Sequence, residues 1–110
     1  MFRTPTAQDP VLAEIVRRLV EVYQPRQIYL FGSVARGDAG PDSDYDIMVV
    51  VPDGVPRQAL DPRPAYRALR GLGVAKDVLV WPRCEFDRRL HLKASLPSTV
   101  VREGKLLYAA

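Results

Sequence analysis

Two aspartates spaced one residue apart, Asp44 and Asp46, stand at the head of the apolar run DYDIMVVV at residues 44–51. In a strand, successive side chains alternate between faces, so these two carboxylates share a face with their Cα atoms roughly 6.6 Å apart, and Tyr45 points the other way. Carboxylates that close resist joint ionisation unless a cation sits between them. Magnesium, which takes one or two carboxylates together with phosphate oxygens, resolves the repulsion most simply. Asp77 repeats the arrangement at the head of DVLVW. If its strand lies beside the first, three carboxylates meet at one sheet end. Such a set can hold two divalent ions that clamp the attacking and leaving oxygens of a phosphoryl displacement.

Upstream, QIYLF ends at Gly32 and Ser33. A strand that ends in glycine lets backbone approach a phosphate closely, with the following N–H groups and the Ser33 hydroxyl as donors. This turn is therefore expected to hold the terminal phosphates of a nucleotide.

Competing chemistries fail on residue type. Asp42, Asp44 and Asp46 imitate the head of a calcium loop, but such a loop needs glycine where Ile47 stands and glutamate where Asp53 stands. Asp42 and Ser43 then read as turn formers. Arg36-Gly37-Asp38 spells a cell-adhesion tripeptide, a coincidence where no secretion signal precedes it. No G-x-x-x-x-G-K run occurs, and Gly71-x-Gly73 lacks the third glycine and the preceding strand of a dinucleotide fingerprint. His91 is the one histidine, which argues against zinc, and it reads as a helix-surface residue.

Positioning these residues takes a sheet and its covering helices. Val11, Leu12, Ile15, Val16, Leu19, Val20 and Tyr23 recur at helical spacing behind Asp9 and Pro10, an N-cap and first-turn proline, so residues 10–22 read as a helix. Strands are expected at 27–31, 44–51 and 77–81, with a last edge strand at 105–108. Helices are expected within 56–72, regular only over 64–71 because Pro62 and Pro64 delay it, and at 83–90 and 98–103. Strands rich in Val, Leu and Ile on both faces mark a mixed sheet covered by helices, an α/β fold with about four strands.

A chain of 110 residues gives one domain spanning 1–110, with length for one active unit. No apolar run approaches the about 18 residues of a membrane span. The N-terminus lacks the apolar core of a signal peptide, and the lone Cys84 has no internal disulfide partner, so a cytoplasmic protein with an inert thiol is expected. The net charge of +3 rests on 13 arginines and 3 lysines spread along the chain. With no basic block, direct nucleic-acid binding is not expected.

The run G-S-(ten residues)-D-x-D formed by Gly32, Ser33, Asp44 and Asp46, with a later acid heading another strand, resembles nucleotidyltransferases of the DNA polymerase beta type. FGSVARGD at 31–38, SDYDI at 43–47, KDVLV at 76–80 and VREGKLLY at 101–108 resemble, more closely, the minimal nucleotidyltransferase (MNT) antitoxin family. The resemblance runs from the first helix to Tyr108. It implies that Gly32 and Ser33 bind the triphosphate of ATP, with Arg36 as a further phosphate contact. It also implies that Asp44 and Asp46 bridge two Mg2+ ions and that Asp77 holds the ion activating the acceptor hydroxyl. The implied reaction moves AMP onto a tyrosine of an all-helical HEPN ribonuclease toxin and so neutralises it. Two other readings stay open: a module that masks its partner without chemistry, and a transferase acting on a small molecule.

Overall fold

The computed structural model describes residues 9–37 and 44–110. The expected turn formers Asp42 and Ser43 and the tripeptide's Asp38 lie outside the described residues. Helix α1 (Pro10–Tyr23) starts where its cap dictates: Asp9 Oδ1 accepts from the amides of Val11 at 3.0 Å and Leu12 at 3.3 Å, with Pro10 in the first turn. These are donors that a helix start otherwise leaves unpaired. The helix ends at Gln24, whose left-handed backbone returns its N–H to Val20. Leu12, Ile15 and Leu19 form its buried stripe, each contributing about 2 kcal/mol by burial.

Strand β1 (Gln27–Phe31) runs straight into the short helix α2 (Gly32–Arg36), and β2 (Tyr45–Val51) returns antiparallel to β1. A 3-10 turn at Arg57–Leu60 and helix α3 (Arg63–Ala68) then lead to β3 (Lys76–Pro82). The proline-rich stretch expected to hold one helix is thus split in two. Helix α4 (Arg83–Arg88) stops short of His91, which lies exposed in the following turn and not on a helix. Helix α5 (Leu96–Glu103) starts two residues earlier than expected, because Ser95 caps it by accepting from the Ser98 amide at 3.2 Å. Strand β4 (Lys105–Ala109) closes the described chain.

The four strands form one mixed sheet in the order β3-β2-β1-β4. β2 is parallel to β3, and β1 is antiparallel to both β2 and β4. Both faces are covered. Ile47, Val49 and Val51 pack with Ile28, Leu30, Val78 and Val80 against α1 and α3, while Met48 and Val50 pack with Phe86 of α4 and Val100 of α5. The unbroken apolar run 47–51 is what a strand buried on both faces requires. No helix among the described residues is long and apolar enough to cross a membrane.

Candidate active site

The end of β1, the head of β2 and the head of β3 meet at one sheet end. Asp46 is the register partner of Phe31 on one side and of Asp77 on the other. Because β2 and β3 are parallel and in register, Asp46 and Asp77 point to the same face, the one that carries Met48, Val50, Leu79 and Trp81. Tyr45 points to the opposite face, where it packs on the larger core cluster and donates to Asp9 Oδ2 at 3.2 Å. The carboxylate that caps α1 therefore also fixes the strand between the two acids. Asp44 sits exposed just ahead of β2.

Burial holds the Asp46 carboxyl above the usual carboxylate range, reinforced by the negative charges of Asp77 and then Asp44, while Arg36 acts in the opposite direction. Arg36 is the last residue of α2, so that helix carries its charge toward Asp46. A cation at this end would relieve the repulsion that the acids impose on one another.

Gly32 has a second role that its place after a strand does not reveal. Its φ is +78°, and a Cβ built on it would overlap Asp46 Oδ2 and lie 3.1 Å from Asp46 Cγ. The space beside Gly32, expected from the sequence to admit a phosphate, is occupied here by the Asp46 carboxylate. Ser33 follows in the first turn of α2, so the expected Gly-Ser turn is the start of a helix, and no side chain caps its amides. Gly37 closes that helix with its N–H on the Ser33 carbonyl at 3.0 Å and the Val34 carbonyl at 3.2 Å.

Two residues escape a reading of the sequence. Tyr66 on α3 donates to Asp77 Oδ1 at 3.2 Å and accepts from the Val78 amide at 2.9 Å. Gly104, between α5 and β4, lies so close to Leu30 that a Cβ would stand 2.6 Å from its carbonyl oxygen. A small residue at a helix C-terminus was the available signal for Gly104. Nothing local marks Tyr66. Cys84 is exposed, and its amide donates to Asp53 Oδ1 at 2.8 Å, far from the acids at the other end of β3.

The donors at this sheet end are carboxylate oxygens, the ligands that magnesium prefers, with neither His nor Cys among them. Among the described residues no three such side chains close into a ready-made metal cluster. A magnesium ion held by these carboxylates would need phosphate oxygens and water to complete its shell. By residue type, the carboxylates of Asp44, Asp46 and Asp77 suit magnesium.

A glycine-led helix start thus lies beside paired acids at one end of a mixed sheet. A family model for the nucleotidyltransferase domain matches residues 11–106, and the chain belongs to that family. No curated protein matches it. Among solved structures, a Sulfolobus solfataricus protein described as a nucleotidyltransferase superposes with a TM-score of 0.62 at 25% identity, covering 91% of this chain and 78% of the other. The toxin–antitoxin MntA–HpeT, in a mutant form, gives 0.60 at 24% identity over 89% and 73%. A toxin–antitoxin bound to AMP-PNP gives 0.59 at 28% identity over 87% and 72%. These neighbours share the α/β sheet described above.

Proposed function

We propose that the chain is an antitoxin-type protein adenylyltransferase that moves AMP from ATP to a tyrosine hydroxyl of an all-helical HEPN ribonuclease toxin. The observation that carries this reading is the register of Asp46 with Asp77 beside Gly32. The likeness to a toxin–antitoxin with AMP-PNP supports both the nucleotide and the partner. Gly32 and Ser33 would receive the triphosphate and Arg36 would add a cation to it. Asp44, Asp46 and Asp77 would hold two Mg2+ ions, which when bound supply charge neutralisation for the phosphates. The acceptor oxygen forms a bond to the α-phosphorus, the bond to pyrophosphate breaks, and the hydroxyl proton leaves to solvent. Positioning and charge neutralisation account for most of the rate in such a displacement. The reaction is expected in the cytoplasm, where ATP is supplied.

An acceptor hydroxyl that arrives on another folded protein is supported by the likeness to toxin–antitoxin structures. It must come within about 3 to 3.5 Å of the α-phosphorus, which sets the docking surface beside the open sheet end. Mass spectrometry of the partner after incubation with ATP and Mg2+ is the test, with slow or no ATP turnover expected from the isolated chain. A partner that is inhibited yet unmodified would replace this reading with masking by contact. Efficient transfer to a free small molecule would replace it with the small-molecule reading.

A further inference from the structure

The geometry points to Tyr66 as a positioning residue for Asp77, an inference that rests on the transfer reading above. Among the described residues strand β3 pairs with β2 alone, so its outer edge offers amides with no strand partner there. Tyr66 belongs to α3, in the layer over the larger core cluster, yet its hydroxyl reaches that outer edge and accepts from the Val78 amide at 2.9 Å. Its own proton goes to Asp77 Oδ1 at 3.2 Å. A hydroxyl has one proton to give, and an oxygen that accepts from an amide is fixed in orientation, so the donation to Asp77 is set by the backbone.

The arrangement answers a problem created by the register. Asp77 is exposed and stands opposite Asp46, whose charge repels it. A short carboxylate left alone there would turn away from its partner into water. Tyr66 ties one of its oxygens to the edge of the strand and leaves the other to serve as a ligand. Burial does not account for a tyrosine at this place, since Tyr66 is 39% exposed. Hydrogen-bonded supports of this kind set the orientation of metal ligands, and their loss weakens metal binding by about 10- to 100-fold.

The test is Tyr66→Phe, which keeps the ring and removes the hydroxyl, with Mn2+ as probe and binding followed by electron paramagnetic resonance in the presence of a non-hydrolysable ATP analogue. The variant should fold and bind Mn2+ about tenfold more weakly than wild type. In an Asp77→Asn background the same change should have no further effect, because the two residues act as one unit. Wild type that binds Mn2+ and a Phe variant that binds it equally would overturn the positioning role and leave the transfer reading standing. A loss of equal size in the Asp77→Asn background would also overturn it, since the effect would then be that of the Val78 bond alone. Wild type that binds no Mn2+ with nucleotide would overturn the transfer reading and this inference with it. AMP found on Tyr66 itself would make it an acceptor and remove it from the positioning role.

Discussion

Replacing Gly32 by alanine should strike the fold and the site together, for two separable reasons. The backbone at Gly32 has φ +78°, a region that costs an L-residue about 1 to 2 kcal/mol. The added Cβ would also overlap Asp46 Oδ2, and rotating the carboxylate relieves only part of this, because Asp46 Cγ lies at 3.1 Å and its Cβ at 3.4 Å. Overpacking of this kind costs about 1 to 3 kcal/mol. The total of about 2 to 5 kcal/mol corresponds to a fall in Tm of roughly 10 to 20 °C for a domain of this size. Thermal melts followed by circular dichroism measure it. The companion variant Gly32→Ala/Asp46→Ala separates the causes: removing the carboxylate should restore the overpacking share and leave the backbone share, so the two changes should couple by at least about 1 kcal/mol. A Gly32→Ala chain that melts within about 1 °C of wild type, or strictly additive effects in the pair, would refute the close approach of Asp46 to Gly32.

Gly104→Ala should cost about 2 kcal/mol or more, since its Cβ would meet the Val100 and Leu30 carbonyl oxygens, which are backbone and cannot rotate away; chemical denaturation reads this directly. Asp9→Ala removes the cap of α1 and the acceptor of the Tyr45 hydroxyl, and should lower stability by about 1 to 2 kcal/mol, with Asp9→Asn close to wild type. Asp44→Asn should abolish AMP transfer while leaving the metal-free melting temperature unchanged or raised, and full transfer by that variant would remove Asp44 from the metal ligands. The pH dependence of Asp46→Asn follows from a sign. The folded-state pKa of Asp46 is raised, so its ionisation destabilises the native state above that pKa, and the penalty disappears when it protonates. In metal-free buffer the variant should therefore melt above wild type at pH 7, with the gap closing as the pH falls through the raised pKa toward the unfolded value of 3.8. Glu14, lowered to about 2 by Arg17 and Arg18, and Asp53, Asp61 and Glu85, also lowered, act oppositely. Their contribution is present above the unfolded carboxylate values and lost on acidification, in both chains alike.

Local chemistry sufficed for the elements themselves. Strand β1 lies at residues 27–31 as its apolar run indicates, and α1 begins at the proline behind its aspartate cap. Alternation put Tyr45 and Asp46 on opposite faces, which the core clusters bear out in the packing of Tyr45 and Met48. These features follow from backbone periodicity, capping and side-chain type, all readable within a few residues. Element ends were less legible: α4 stops at Arg88 where the chain turns exposed over 89–94, and α5 starts at Leu96, ahead of the expected 98, because Ser95 caps it. The parallel register that sets Asp77 against Asp46 joins residues 31 positions apart, and no short-range signal specifies it. It is decided by how Val78 and Val80 align with Ile47 and Val49 under α1 and α3. The same packing carries Tyr66 to the outer edge of β3 and presses Asp46 onto Gly32. Sequence thus determined which residues could do the chemistry, while tertiary packing decided which of them meet, because contacts between distant segments depend on the summed burial of the whole core.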